Sequence, residues 1–168
     1  MRVSRTVASA MLASTILAGS ARADVAVTFV NPARFHDEDF RGTAKRNGIL
    51  DEFRRYLVRL GDQYLGKGQR LGIEVLDIRL AGQYEPWRPH WNDVRILTDI
   101  TPPRFRLRYT LRQGGKVVVS AEESVTDINY LWRASARFSS ERFAYEKDML
   151  RDWFRKRFVR LVPPPARR

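Results

Sequence analysis

The stretch RFRLRYTLRQGGKVVVSAEESV, residues 104–125, decides the fold because its pattern is that of a β-hairpin. Apolar residues occupy every second position of its first half, as in a strand with one buried face. These residues are Phe105, Leu107, Tyr109 and Leu111. Gly114 and Gly115 accept the positive φ angles of a tight turn. With a turn of two residues, we expect Arg106 to face Glu123 across the ladder.

The residues before the hairpin predict two strands with a helix between them. Residues 25–30 are rich in β-branched side chains and run into Asn31-Pro32, which is typical of a strand followed by a turn. Apolar residues at steps of three and four then predict a helix that ends at Gly66. They are Ile49, Phe53, Leu57, Leu60 and Tyr64. Residues 71–80 alternate with a change of phase, which indicates a bulge or a strand covered on both faces.

Connections and the C-terminal part complete the prediction. Residues 33–42 look like a polar loop, residues 83–92 a loop rich in Pro and Trp, and residues 93–97 a short edge strand. An apolar stripe over residues 143–161 predicts a second main helix, which the prolines from Pro163 end. Its members are Leu150, Trp153, Phe154, Phe158 and Leu161.

These elements together predict an α+β fold. We expect a two-layer sandwich with two main helices packed on a mostly antiparallel sheet of four or five strands. Residues 24–162 form this single domain, and residues 163–168 form a disordered basic tail. If the first two strands are parallel neighbours, their connection should cross in a right-handed sense.

The N-terminal residues 1–23 predict a secretory signal peptide. Arg2 and Arg5 precede a run of 12 apolar and small residues, and Ala21-Arg22-Ala23 offers a small-x-small cleavage site. A membrane-spanning helix would need about 20 apolar residues, so cleavage is favoured over a retained anchor. We therefore expect a periplasmic or secreted protein with no transmembrane segment after cleavage.

Composition limits the chemistry and suggests a class of partner. The full chain carries a net charge of +12; because residues 1–23 hold three arginines and no acid, the remainder carries +9. This balance favours anionic partners such as lipid or an acidic polymer, although the spread of the basic residues along the chain favours a scattered solvated surface over a dedicated anion site. The chain has no cysteine, which excludes disulfides, thiol catalysis and cysteine-based zinc sites.

No catalytic constellation emerges from the residues. His36 lies beside Asp37 and Asp39 in sequence, but the chain has no metal-binding spacing such as HExxH. Two solvated loop histidines, His36 and His90, are the simpler interpretation. Glu122 and Glu123 are adjacent in a strand, so they point to opposite faces and cannot share a site. We therefore expect no catalytic residues, no metal and no cofactor, and a binding protein is favoured over an enzyme.

The loop YEPWRPHW, residues 84–91, is the most unusual segment. Trp87, Arg88 and Trp91 could stack on sugar rings, aromatic groups or a peptide, and the prolines would limit the entropy lost on binding. The alternative is that both indoles fold back as a lid over one end of the core.

Several segments, taken in order, resemble a proteobacterial family of small secreted proteins known as domain of unknown function 3016. They are VTFVNP (27–32), EPWR (85–88), DVRI (93–96), DITPPR (99–104), DINYL (127–131), FSSE (138–141) and YEKDMLRDWF (145–154). The resemblance implies an exported protein of a Gram-negative bacterium and no particular activity. It adds Arg95 to Trp87, Arg88 and Trp91 as candidate binding residues.

Three functions follow as hypotheses. The first is a non-catalytic module that binds an envelope component or a partner protein. The second is an electrostatic binder of anionic lipid or polymer, with nucleic acid disfavoured. The third is a small hydrolase that pairs a carboxylate with His36 or His90.

Overall fold

The computed structural model describes residues 23–87 and 94–164, and within these ranges it contains six strands and three α-helices. The strands are β1 (Asp24–Phe29), β2 (Gln69–Arg79), β3 (Gln83–Tyr84), β4 (Arg95–Ile96), β5 (Arg104–Gln113) and β6 (Lys116–Thr126). The helices are α1 (Thr43–Tyr64), α2 (Ala134–Arg137) and α3 (Ala144–Phe154). The predicted α+β class is confirmed.

The main sheet has four strands in the order β1-β2-β5-β6. β1 runs parallel to β2, with α1 as the connection, and the other two pairings are antiparallel. The predicted, mostly antiparallel sheet is therefore confirmed, while β3 and β4 form a separate two-stranded sheet. Within residues 23–87 and 94–164, no helix is long and apolar enough to cross a bilayer.

Both long helices contact the buried face of the sheet. On α1, the ring of Phe53 packs edge-on against Phe105 of β5 at 4.9 Å between centroids. On α3, the indole of Trp153 meets Tyr109 of the same strand at 5.5 Å. Because the apolar residues of β5 are all buried and the arginines between them exposed, one face of this strand belongs to the core and the other to solvent.

The change of phase in residues 71–80 is a bulge, which is one of the two alternatives that the pattern indicated: the β2–β5 register shifts between Val75 and Asp77. The predicted pairing of Arg106 with Glu123 is wrong. A second irregularity next to the hairpin turn, between Leu111 and Arg112, moves the register by one residue, so Arg106 faces Ser124. A one-residue shift exchanges the two faces of a strand, and Glu123 accordingly points into the core face.

The C-terminal helix is shorter than the predicted residues 143–161. α3 passes into a five-residue π-helical turn, Arg155–Val159, and the chain then leaves the helical path. Leu161 adopts a positive φ of 52° and is 56% exposed, so its predicted place on the apolar stripe is wrong. The wider π turn changes the angular spacing of side chains, which breaks the periodicity on which that prediction depended.

Two predicted loops contain more structure than their composition indicates. Two 3-10 turns, Pro32–Arg34 and Glu38–Phe40, lie in the first of these segments. Within residues 33–42, the buried side chains are Phe35, Asp37, Asp39 and Phe40. Tyr84, predicted in a loop, lies in β3 and pairs with Arg95 of β4. The predicted edge strand in residues 93–97 is confirmed at its centre.

Candidate functional site

A basic cleft lies where the end of β2 and the start of β5 meet the β3–β4 hairpin. Its volume is about 550 Å³. The charged side chains that line it are Asp37, Glu38, Arg41, Arg79, Arg95 and Arg104, and His36 stands beside them. We call this space the basic cleft.

Arg95 fixes the hairpin to the body of the domain. Its guanidinium donates to the Asp37 carboxylate at 2.6 Å and to the carbonyl of Gly82 at 2.7 Å. Asp37 also accepts the backbone N–H of Leu80 at 2.9 Å. Because Asp37 and Arg95 are largely withdrawn from water, this charged pair holds the wall of the basic cleft in one geometry.

Asp39 extends the same network to helix α1. It pairs with Lys45 at 2.7 Å and accepts a hydrogen bond from the Tyr84 hydroxyl at 3.2 Å. Burial alone would raise the pKa of Asp39, but the hydrogen bond from Lys45 and the charge of Arg95 outweigh it and lower this pKa. The network of Asp37, Asp39, Lys45, Tyr84 and Arg95, called here the Arg95 network, is thus charged and internally satisfied.

Glu146 of α3 holds the backbone at Ala81, between β2 and β3. It is buried, and its carboxylate accepts the backbone N–H of Ala81 at 2.8 Å. Burial raises the pKa of this carboxyl, although the hydrogen bond from Ala81 partly opposes the shift.

Three arginines of the basic cleft form no ion pair with any residue in the described ranges: Arg41, Arg79 and Arg104. Arg79 and Arg104 are direct partners across the β2–β5 ladder. Like charges at directly opposed positions destabilise a sheet. Among the residues that the structure describes, this positive pair in the basic cleft is therefore uncompensated.

The centre of the same sheet face shows the opposite arrangement. Arg108 lies between Glu74 of β2 and Glu122 of β6, at 2.9 Å and 3.0 Å. A row that alternates in charge is what a solvent-facing sheet uses for its own stability. Arg79 and Arg104 lack such carboxylate partners among the described residues and, unlike Arg108, line the basic cleft.

His36 does not join Asp37 and Asp39, the neighbours that its sequence position suggests for a metal site. Its Nδ1 lies 2.7 Å from Oδ2 of Asp77, and its backbone N–H donates to the same carboxylate. The two neighbouring aspartates turn into the Arg95 network instead. Within the ranges that the structure describes, no group of three or more His, Asp or Glu side chains is placed to hold a metal ion.

The predicted binding residues have different positions. Trp87 is 68% exposed, so it does not close over the core as the alternative interpretation required. Arg95 lines the basic cleft while its guanidinium is held by Asp37. Arg88 and Trp91 lie outside the described residues, as does His90. A binding role for these positions stays a prediction.

The chain matches a known protein family over most of its length. The family model described as protein of unknown function (DUF3016) matches residues 23–156, which cover the main sheet, the Arg95 network and α3. The chain belongs to the DUF3016 family. No curated protein and no solved structure matches this DUF3016 chain. The resemblance inferred from the sequence segments is confirmed.

Sequence reasoning did not bring the three arginines of the basic cleft together. Arg41, Arg79 and Arg104 come from three separate segments, and only the β2–β5 register brings the last two together. A signal was present in Arg104, which begins the alternating arginines of the hairpin. Two exposed aromatic side chains, Trp132 at 86% and Phe138 at 84%, were also missed because residues 127–142 show no clear period.

Proposed function

We propose that this protein is an exported, non-catalytic binding module that recognises an anionic component of the cell envelope in its basic cleft. The observation that carries the proposal is the set of three arginines, Arg41, Arg79 and Arg104, without ionic partners in the described ranges. Arg108 on the exposed sheet face, by contrast, is paired with Glu74 and Glu122.

The domain suits recognition because the cleft is held in place before a ligand arrives. The Arg95 network ties the β3–β4 hairpin to α1, so little order has to be gained on binding. In a two-layer sandwich, the helices cover one face of the sheet and the arginine-bearing face remains open to ligands. Trp87, which is exposed in the segment after β3, supplies a further apolar surface for a ligand.

Localisation is part of the same proposal. A chain that loses residues 1–23 on export retains the whole of β1, since the ladder with β2 begins at Asp24. Anionic lipids and polymers are abundant in a bacterial envelope, and the net charge of +9 after residue 23 favours them. We place the protein in the periplasm or outside the cell.

Vesicle sedimentation tests the binding function. Vesicles of neutral phospholipid, with and without an anionic phospholipid, are incubated with the purified protein at low and high salt. We expect binding only to the anionic vesicles, and we expect it to weaken as salt screens the charges. Heparin as a soluble probe separates a polymer ligand from a lipid ligand.

Matched variants locate the site. Arg41→Gln should weaken binding to either probe, and Trp87→Ala should do so if the hairpin contributes. Trp132→Ala is the control, because this indole is even more exposed and belongs to a different segment. Equal losses in all three variants, or no binding of the wild type to either probe, would contradict the proposal.

A hydrolytic function is the second candidate, and one contact favours it. The Asp77 carboxylate lies 2.7 Å from Nδ1 of His36 and favours a proton on that nitrogen. Nε2 is then free to accept a proton from a water molecule. The His36 side chain stands at the basic cleft and is 68% exposed. Loss of turnover of any bound phosphate or carboxylate ester in His36→Ala, with binding retained, would support hydrolysis; no turnover by the wild type would exclude it for those esters.

A further inference from the structure

The pairing of Arg79 with Arg104 narrows the chemistry of the anion, in an inference that rests on the proposed function. We infer that these two arginines bind one phosphate group of the monoester type, with Arg41 as a third cation. A phosphate group is shared by free phosphate esters and by lipid headgroups, and the two sources are separated below.

Geometry favours a tetrahedral anion over a carboxylate. Residues directly opposed on antiparallel strands have Cβ atoms about 4.5–5.5 Å apart, so both guanidinium groups reach a common ligand on the exposed face. One guanidinium fork donates two parallel hydrogen bonds and occupies both oxygens of a carboxylate. A phosphate presents further oxygens in other directions, so forks from β2 and β5 can bind it together.

The charge of the cleft matches the same ligand. Among the described residues, four arginines and two carboxylates line it, a net charge of +2 when His36 is neutral. Asp37 is held by Arg95, and Glu38 is exposed at the rim. A phosphate monoester carries about −1.5 to −2 at neutral pH. Binding would neutralise the site and replace the repulsion between Arg79 and Arg104 by two attractions.

A second pair of opposed arginines provides an internal comparison. Arg70 and Arg112 face each other at the other end of the same ladder. Asp24 of β1 is the ladder partner of Arg70 on its other side, and Arg112 donates to the carbonyl of Gly115. Arg70 and Arg112 are thus the same residue type on the same two strands, but neither of them lines the basic cleft with Arg41.

The larger cleft between β6 and α3, about 790 Å³, is a weaker candidate for an anion. Of its cations, Arg133 and Arg157 are ion-paired. The others, Arg155, Lys156 and Arg160, follow the C-terminal end of α3. Positive side chains there complement the helix dipole, which itself disfavours an anion. Their presence is explained by the helix alone.

Calorimetric titration of the purified full chain with inorganic phosphate tests the inference. Malonate, a dicarboxylate of similar charge, is titrated at equal ionic strength. We expect one phosphate per chain and markedly weaker binding of malonate. Arg79→Gln and Arg104→Gln should each reduce phosphate affinity by about tenfold or more, because each removes a charge-assisted pair of hydrogen bonds. Arg70→Gln and Arg112→Gln should change it by less than about threefold, since they alter only the long-range field.

Thermal melting gives a readout that does not depend on the calorimetric signal. Phosphate should raise the melting temperature of the wild type and of Arg112→Gln, and should raise that of Arg104→Gln much less. Without phosphate, Arg104→Gln should melt no lower than the wild type, because it removes a repulsion. Equal effects of all four substitutions, or malonate binding as strong as that of phosphate, would overturn the inference while leaving anion binding itself intact.

Vesicles separate the two sources of the phosphate group. If free phosphate competes with the protein's binding to phosphatidic acid vesicles, the cleft takes the headgroup and the free ester alike. Binding to phosphatidic acid over phosphatidylglycerol, lost in Arg104→Gln, would support a lipid monoester even where free phosphate binds weakly. A wild type that binds neither phosphate nor any anionic vesicle would overturn both this inference and the proposed function.

Discussion

At the residue scale, the domain places several of its buried charges in ion pairs, and Arg157 with Glu123 is one of them. Arg157 and Glu123 are both nearly inaccessible to water and meet at 2.5 Å. The same carboxylate accepts hydrogen bonds from the Trp153 indole at 2.9 Å and from the Tyr109 hydroxyl at 2.8 Å. Removing one partner of such a pair costs far more than the pair itself contributes, because a charge is left buried.

Glu123→Gln should therefore destabilise the protein by about 3–5 kcal/mol at neutral pH. Burial opposes the charge on Glu123, but hydrogen bonds from Arg157, Trp153 and Tyr109 outweigh it and lower its pKa. A lowered folded-state pKa gives stability that is present above the unfolded pKa and lost as pH falls through the folded pKa. Urea unfolding at several pH values should show that the difference in free energy of unfolding between the wild type and Glu123→Gln becomes smaller in acid.

The adjacent Glu122 is the control for this prediction. It points to the exposed face and pairs there with Arg108. Glu122→Gln should change the free energy of unfolding little, because exposed ion pairs contribute little. Similar losses of stability in the two variants would contradict the prediction that the buried contacts of Glu123 stabilise the fold.

Glu146→Gln should have the opposite effect on stability. Burial raises the pKa of Glu146 in the folded state, so folding holds a proton that the unfolded chain releases more readily. The free energy of unfolding then decreases as pH rises from the unfolded pKa of about 4.5 through the folded one. Glutamine keeps an oxygen for the N–H of Ala81 and cannot ionise.

The measurement for Glu146→Gln is a set of chemical unfolding curves across the same pH range. We expect the variant and the wild type to be similar well below pH 4.5 and the variant to be more stable at neutral pH. A variant that is less stable at every pH would show that the carboxylate has a favourable role that its burial conceals.

At the element scale, the close approach of helix α1 to strand β1 depends on one glycine. A Cβ atom added to Gly61 would lie 2.0 Å from Cγ2 of Val25, which no side-chain rotation of a short β-branched residue easily relieves. The contact between the first strand and its crossover helix is thus set by backbone proximity. The absence of a side chain here serves packing, since glycine itself disfavours a helix.

Gly61→Ala should destabilise the protein by about 1–3 kcal/mol despite the better helix propensity of alanine. Gly48→Ala on the same helix is the control: no atom lies within 4 Å of its added Cβ, and it should stabilise by about 0.5–1 kcal/mol. Thermal and urea unfolding measure both. A double substitution of Gly61→Ala with Val25→Ala should recover part of the loss; additivity of the two effects would refute the contact.

At the scale of the whole molecule, the start of the sheet coincides with the predicted cleavage point. Asp24 is the first residue of β1 and pairs with Arg70, and the family match begins at residue 23. A domain released after Ala23 would therefore lose no part of its sheet. Cleavage at the predicted position is thus compatible with folding of the described domain.

We expect mass spectrometry of the protein from a bacterial periplasmic fraction to show Asp24 as its first residue. Replacement of the small residue before the cut, Ala23→Phe, should block cleavage and leave the longer chain attached to membranes, because the peptidase pocket accepts only small side chains. Material that retains Met1 in the soluble periplasmic fraction would contradict the prediction.

The sequence by itself determined the fold class, the hairpin and the family, because these depend on local patterns. Alternation in β5, the paired glycines of the turn and the helical spacing in α1 each act within a few residues. The bulge in β2 was also predictable, since a change of phase in the apolar pattern records it.

Tertiary structure alone decided which charges meet. One extra residue beside the hairpin turn moved Glu123 from the solvent face into the core, and one π-helical turn moved Leu161 out of it. Arg79 and Arg104 face each other only because two strands pair, and these residues are 25 positions apart in sequence. Register is a collective property of the packed sheet, and a shift of one residue reverses the face of every side chain that follows. For this reason the basic cleft, unlike the elements around it, could not be read from the sequence alone.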